Sequence, residues 1–305
     1  MGGKVIGLEI LSDCRLCSGR NISVVDAECL ICRCDDCGYL FDNPRPAEEE
    51  IIAYYSRPKQ YDVWLEKEAD RDRLWRRRLQ KVLKHNKPGT LLDVGAGVGQ
   101  FLQLAIPYFT GVYGTEVSVS AISLAESKYG LKLVRAQIED ADFSGMKFDN
   151  ICMFHVLEHV PDPGTVLRRC HDLLAPDGLL FIAVPNELLS LRSKVRKLLH
   201  CAGVKAIRFE GKLGLPKIRL DGSLAEIHLS HFTPEVLQTA LEHNGFSVIE
   251  TSLDPYYVAS GLHLAVNSTL YGALTLVNTM FGRNLFSAMW LVAKKQSKPL
   301  VDGYR

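Results

Sequence analysis

Nowhere does the 305-residue chain stay apolar for the roughly 18 residues that a membrane-crossing helix needs. The nearest approach, residues 262–281, is interrupted by His263, Asn267, Ser268, Thr269 and Asn278. A surplus of one charge is missing too. Thirty-six Lys and Arg stand against 35 Asp and Glu, a formal net charge of +1. That balance excludes a chain-wide polyelectrolyte surface, although local patches can hide in a neutral sum. Residues 1–10 hold no apolar run of the kind a secretory signal carries. Internal repeats and low-complexity tracts are absent as well. With 47% hydrophobic and 23% charged residues, the composition fits a globular protein rather than a disordered, collagen-like or coiled-coil one. The length suits one large domain or two small ones.

What is present begins with cysteine. Nine cysteines without an export signal argue for metal ligation or free thiols in a reducing compartment, and so for a cytoplasmic protein. Cys14-x-x-Cys17 and Cys34-x-x-Cys37 are separated by sixteen residues. Two such knuckles suit a tetrahedral Zn²⁺, each turn presenting two thiolates about 2.3 Å from the metal. Four thiolates leave no open position, so the expected zinc is structural. Cys32 would share a strand face with Cys34 and could compete as a ligand. The preferred reading makes Cys29 and Cys32 small buried hydrophobes.

Residues 41–46 read Phe-Asp-Asn-Pro-Arg-Pro, a turn-rich exit from this ribbon. The charged stretch 47–86 is helical in tone, with Trp64, Leu74, Trp75, Leu79 and Val82 as candidate buried positions. Its basic cluster, residues 71–78, reads as a solvated helix face. From Thr90 onward, short apolar runs alternate with helical segments, the signature of a parallel α/β sheet. Strands are expected at 91–94, 112–115, 133–135, 150–153, 179–184, 246–250 and 290–294. Helices are expected at 100–106, 119–128, 165–174 and 233–244, the last with Thr233 as its N-cap. The resulting division is a zinc ribbon (1–45), a helical linker (46–88) and a sheet core (89–186). A basic cap insertion (187–226), the rest of the core with an apolar helix near 262–281 (227–296), and a tail (297–305) follow. Between Arg192 and Arg219 lie nine Lys or Arg and one acid, Glu210. This charge suggests an anionic acceptor or a membrane surface. For the apolar helix, ordinary core or dimer packing is the expectation, and a peripheral membrane contact is the alternative.

Leu91-Leu92-Asp93-Val94-Gly95-Ala96-Gly97-Val98-Gly99-Gln100 is the most informative stretch. An apolar strand runs into three alternate glycines and then a helix, so backbone amides can approach a ligand closely. A pyrophosphate loop spaces its third glycine differently and would be repelled by Asp93, whereas a cationic ligand group would not. Glu116, closing the second strand, can accept both hydroxyls of a ribose.

This stretch resembles motif I of class I S-adenosylmethionine-dependent methyltransferases. The likeness continues in Phe154-His155-Val156-Leu157-Glu158-His159-Val160-Pro161-Asp162-Pro163, in Leu173-Leu174-Ala175-Pro176-Asp177-Gly178, and in His228-Leu229-Ser230-His231-Phe232-Thr233-Pro234. The whole layout is similar to bacterial and archaeal methyltransferases, relatives of which with zinc ribbons include sugar C-methyltransferases. The resemblance implies a Rossmann-like seven-stranded sheet with S-adenosyl-L-methionine as cofactor. It places Gly95, Gly97 and Gly99 under the methionine and ribose, Asp93 near the amino end and Glu116 on the ribose. Gln137, Ile138 and Glu139 would border the adenine, with Gln137 standing where the family often has an acid.

Methyl transfer needs alignment and, for an oxygen or carbon nucleophile, a base. His155, at the carboxyl end of the fourth strand, is the best-placed candidate, with His228 and His231 weighed nearly equally as the base, and His155 could instead wall the adenosine site. Residues 157–163 also resemble ubiquinone-pathway O-methyltransferases, in which acid and histidine can hold a divalent ion. Here His155 stands where a further acid would help, so metal dependence is not expected. Glu158 and His159 otherwise read as a helix cap and loop brace. The expected function is transfer of a methyl group to O, N or C of a small, sugar- or lipid-linked anionic acceptor. A nucleic-acid methyltransferase using the ribbon as a clamp, and a non-catalytic binding module, are the alternatives. Interleaved acids and a pI of 7.6 disfavour nucleic acid. Peripheral contact with the inner membrane surface and a homodimer are both compatible with the sequence.

Overall fold

The computed structural model describes residues 7–55, 68–85, 89–204, 209–220 and 227–296. Trp64, parts of the basic insertion and the 297–305 tail lie outside the described residues. The ribbon comes first. A two-residue strand β1 (Leu8–Glu9) is followed by β2 (Ile22–Asp26), β3 (Ile31–Cys34), β4 (Leu40–Asp42) and β5 (Arg45–Pro46). Helices α1 (Glu48–Tyr55) and α2 (Glu68–Leu83) lead to β6 (Thr90–Val94) and α3 (Gln100–Ala105). The core continues with β7 (Gly111–Glu116), α4 (Val119–Tyr129), β8 (Val134–Arg135), β9 (Phe148–Phe154) and α5 (Pro163–Leu173). Then come β10 (Leu174–Pro185), α6 (Leu191–Cys201), β11 (Ser230–His231), α7 (Pro234–His243), β12 (Phe246–Leu253), α8 (Gly261–Phe281) and β13 (Ala288–Lys295).

Seven strands form the main sheet in the order β12-β13-β10-β9-β6-β7-β8. The pairs from β10 across to β8 are parallel, while β13 runs antiparallel to both neighbours. This is the expected α/β, Rossmann-like sheet. The central strands are buried on both faces and accordingly read as continuous apolar runs, as in Leu179–Leu180–Phe181–Ile182–Ala183–Val184. Chain order reverses at the boundary of β6 and β9, which opens a crevice beyond their carboxyl ends, where ligands bind in such sheets.

Local chemistry explains the helix starts. Ser118 caps α4 by accepting from Ala121 N, Asp162 caps α5 by accepting from Thr165 N, and Thr233 caps α7 by accepting from Val236 N. Pro163 and Pro234 occupy first-turn positions, where a missing N–H costs nothing.

Two expectations change. The 46–88 stretch is more than a linker: α2 buries Leu74, Leu79 and Val82, the last two against the sheet core, and its basic face is not simply solvated. Arg78 is buried, and Arg77 lies 3.8 Å over the Tyr257 ring. The 262–281 helix forms, but only a narrow part of it joins the core. Leu274 is its single buried residue, and Leu262, Val266, Leu270, Leu276, Met280 and Phe281 are exposed. No helix among the described residues is long and apolar enough to cross a membrane.

The ribbon is built into the core. β11 adds a strand to its sheet, in the order β11-β4-β3-β2. Tyr39 stacks on Phe232, and one buried cluster joins Cys14, Leu16, Tyr39 and Phe41 to Leu92, Val94, Val166 and Leu237. Gly164 N donates to Arg15 O at 3.1 Å, and a Cβ on Gly164 would lie 2.6 Å from that oxygen. Residues 209–220 pack on the ribbon, with Leu215 against Cys29 and Ile31, and with Lys212 N and Leu213 N donating to buried Asp26.

Candidate active site

The turn after β6 places Gly95, Gly97 and Gly99 at φ 67°, 55° and 78°, the left-handed region that glycine alone enters without a Cβ penalty. A Cβ on Gly95 would lie 2.6 Å from Val156, so this turn presses against the loop after β9. Glu116, buried at the end of β7, ties the turn together. Its Oε2 accepts from Gly97 N, and its Oε1 accepts from Val117 N and Ser118 N, all at 2.8 Å. A carboxylate has about four lone-pair sites. Three are used, which leaves one for a ligand hydroxyl instead of the two-point grip the sequence suggested. Burial raises the Glu116 pKa even though three amides oppose the rise. Asp93 is buried beneath the turn, and desolvation raises its pKa well above the carboxylate range, with Arg78 opposing. A cationic group arriving there would restore its charge.

Gln137 donates to Glu48 Oε1 at 2.5 Å, and Ile138 is buried in the core cluster. Glu139 is half-buried, and burial raises its pKa. These positions lie after β8, in the stretch where the resemblance sets the adenine.

Opposite the turn, side chains from distant segments meet. His155 follows β9 at φ 57°, an uncommon conformation for a residue with a Cβ. Its ring lies 4.3 Å from that of Tyr256. Its Nδ1 is 3.1 Å from Glu158 Oε1 and its Nε2 is 3.4 Å from Asp254 Oδ2. Desolvation works against a charged His155, but Asp254 and Glu158 outweigh it and raise the pKa. Asp254 is itself clamped by buried Arg78, Nε to Oδ1 at 3.0 Å and an Nη to Oδ2 at 2.6 Å. The rings of Trp75, Phe154 and Tyr256 surround that guanidinium at 4.9–5.4 Å.

A second chain runs toward the ribbon. His228 Nδ1 lies 2.9 Å from Glu187 Oε1, His231 Nδ1 lies 2.8 Å from Glu187 Oε2, and His231 Nε2 lies 3.0 Å from Asp42 Oδ2. Burial alone would depress the His231 pKa, but the two carboxylates raise it to about 9. The same imidazoles overcome desolvation and hold Glu187 below the usual carboxylate range. His231 is therefore a buried bridging cation with both nitrogens engaged. His155 is likewise held between two carboxylates. His228 has a different setting: one nitrogen is oriented by Glu187, and its ring sits 5.0 Å from that of His159.

Glu158, His159 and His228 each offer a ligating atom, all within 4.8 Å of one another. His155 Nδ1 lies 3.1 Å from Glu158 Oε1, and Glu158 is one of the two carboxylates that raise the His155 pKa against desolvation. Helix capping falls to Asp162 rather than Glu158. Glu158 braces the loop through its backbone instead, its carbonyl accepting from Leu229 N and Ser230 N.

In the ribbon, the sulfurs of Cys14, Cys17, Cys34 and Cys37 gather within 4.8 Å of one another. Leu16 N and Gly19 N donate to the Cys14 and Cys17 sulfurs at 3.4 Å. The hydrogen bond between Cys14 and Cys37 lowers the Cys14 pKa and raises that of Cys37, the two thiols sharing one proton's interaction. Cys32 points elsewhere, its sulfur 3.7 Å from Asn43 O, and Cys29 is buried against Leu215. The donor set fits a tetrahedral metal.

Sequence reasoning missed Asp42, Arg78, Glu187, Asp254 and Tyr256. Arg78 and Asp254 lie 176 positions apart, and no local pattern connects them.

Comparison with known proteins bears on the family and the fold. A family model described as a methyltransferase domain matches residues 68–251, more than half of the chain. The chain is 32% identical over 109 residues to the ubiquinone biosynthesis O-methyltransferase of Actinobacillus pleuropneumoniae serotype 7 (strain AP76), covering 32% of this chain and 47% of that protein. The enzyme of the same description from Pseudomonas syringae pv. tomato (strain ATCC BAA-871 / DC3000) is 31% identical over 103 residues, covering 32% and 44%. The chain thus spans less than half the length of these curated relatives. Among solved structures, a SAM-dependent methyltransferase from Thermotoga maritima aligns with a TM-score of 0.50 at 16% identity, over 81% of this chain and 100% of that one. A chain from a complex of the Haloferax volcanii Trm112 methyltransferase activator with a methyltransferase aligns with a TM-score of 0.50 at 14% identity, over 79% and 97%. At such identities these two likenesses bear on the fold alone.

Proposed function

Because the chain belongs to the methyltransferase-domain family, we propose that it is an S-adenosylmethionine-dependent methyltransferase acting on a small anionic acceptor, sugar- or lipid-linked. One observation carries the reading. The glycine turn and the histidine-bearing loop after β9 touch at Gly95 and Val156, so a cofactor over the turn faces the histidine cluster. The turn formed by Gly95, Gly97 and Gly99 would hold the methionine and ribose, and Asp93 the cationic amino end. Glu116 would accept one ribose hydroxyl, and Gln137 and Ile138 would border the adenine. Bound, the sulfonium supplies an electrophilic methyl group and leaves as a neutral thioether.

The protein's part is alignment, water exclusion and proton removal. We assign the base to His228. Glu187, 2.9 Å from its Nδ1, fixes its tautomer, as a carboxylate behind a catalytic imidazole does. His155 and His231, each held between two carboxylates, position neighbouring groups instead. Zn²⁺ on Cys14, Cys17, Cys34 and Cys37 would hold the ribbon, and through it Asp42.

The test separates binding from transfer. His228→Ala should retain S-adenosylmethionine affinity in calorimetry while transfer of a labelled methyl group falls about 10²- to 10⁴-fold, the usual worth of a positioned base. Unchanged transfer would remove His228 from the chemistry. Absence of transfer by the wild type to any sugar-phosphate, nucleotide-sugar or lipid-linked acceptor would favour a non-catalytic binding role.

A further inference from the structure

We propose that α6, together with the end of α8, docks on the surface of an anionic lipid bilayer. The inference does not rest on the methyl-transfer reading.

The sequence of α6, Leu-Arg-Ser-Lys-Val-Arg-Lys-Leu-Leu-His-Cys, is well formed as a helix, and Ser190 caps its start by accepting from Ser193 N. Yet the helix buries none of its residues. At 100° per residue, Leu191, Val195 and Leu198 fall on one stripe. All three are exposed, Leu198 at 69%. Arg192 and Lys194 flank that stripe, and Arg196 and Lys197 complete the polar side. Residues 188–204 contain no Asp or Glu. An apolar stripe turned to water and rimmed by cations is the pattern of a helix lying in the headgroup plane.

The second element repeats the theme without charge. α8 has 21 residues and carries no Asp, Glu, Lys or Arg. Its packing face is narrow, set by Leu274 and Tyr271 against Leu253, Tyr257 and Phe286. Leu262, Val266, Leu276 and Met280 lie away from that face, Leu270 is exposed beside it, and Met280 and Phe281 are 64% and 65% exposed at the helix end. That end is fastened to the start of α6. Leu191 N donates to Leu285 O at 2.7 Å, and the Asn186 amide donates to Asn284 O and Phe286 O at 2.9 Å. Arg283 lies between the two. One corner of the molecule therefore combines unpartnered apolar side chains with at least five cations.

Charge complementarity selects the occupant. A second copy presenting the same corner would set cation against cation, since neither helix offers an acid. A bilayer bearing anionic headgroups offers counter-charge outside and an apolar layer beneath. No described helix is apolar enough to cross, so the contact is a lateral one.

The experiment is flotation of the full chain with vesicles of pure phosphatidylcholine and of a 7:3 phosphatidylcholine–phosphatidylglycerol mixture. Binding should be at least tenfold stronger to the anionic vesicles and should fall steeply between 0.1 and 0.5 M salt. Leu198→Glu with Phe281→Glu, and separately Arg192→Gln with Lys194→Gln and Lys197→Gln, should each weaken it at least tenfold. Melting temperature and S-adenosylmethionine affinity should not move. Leu198→Trp should shift its emission to the blue on adding anionic vesicles only. No binding to either vesicle, or binding indifferent to both sets of substitutions, overturns the proposal. A dimer in sedimentation that Leu198→Glu dissociates would also overturn it, assigning the face to a second copy.

Discussion

The two walls of the crevice are made differently. The glycine-turn wall is local and built from backbone: three glycines within five residues, and one carboxylate that accepts three main-chain amides. The histidine wall is assembled from side chains contributed by β4, α2, the loops after β9, β10 and β12, and β11. The first is set by short-range geometry, the second only by the completed fold. The second wall should therefore fail when distant packing fails, while the first persists.

The largest expected effect on that contrast comes from Gly164→Val. A side chain there collides with the Arg15 carbonyl and pries the ribbon from α5. Overpacking of this kind costs about 1–3 kcal/mol. We expect a lower melting temperature and a loss of methyl transfer, as Asp42 leaves His231, with S-adenosylmethionine affinity within about threefold of wild type. Equal loss of both activities would mean that the two walls are not separable.

The second test is pH. His231 has a folded-state pKa raised to about 9 from 6.5. Its contribution is fully present below about pH 6.5 and is lost as pH rises through 9. The groups facing it are Asp42 and Glu187, and Glu187 also contacts His228. Melting temperature should decline from pH 6.5 to 9.5, and His231→Gln should flatten that slope. An equal slope in the variant would place the titration elsewhere.

The smallest effect concerns divalent ions. Because His155, rather than a further acid, stands 3.1 Å from Glu158, Mg²⁺ added to a magnesium-free enzyme should change the transfer rate less than about twofold. A large activation would give Glu158, His159 and His228 a metal-binding role.

How much of this was legible follows the same contrast. The alternation of apolar runs and helices gave the sheet, and Gly95, Gly97 and Gly99 gave the turn, because both depend on residues adjacent in sequence. The pairing of cysteine knuckles was equally local, and the sulfurs of Cys14, Cys17, Cys34 and Cys37 do converge. Arg78 was read as part of a solvated face because its neighbours Arg76 and Arg77 share its charge; only tertiary packing distinguishes it, through Asp254. The sequence placed His155 best and weighed the three histidines nearly equally as the base, since their carboxylate partners, Asp42, Glu187 and Asp254, carry no motif. The apolar helix was expected in core or dimer packing, and the packing that buries Leu274 leaves its opposite face outside the core.

The measurement that tests the account most directly is calorimetric titration of S-adenosylmethionine into the wild type and Glu116→Ala. One charge-assisted bond to the ribose, together with loss of the amide cradle, should weaken binding about 10- to 100-fold from a one-to-one wild-type isotherm. A wild type that takes up no cofactor, or a variant that binds as tightly as the wild type, would contradict the assignment of this crevice.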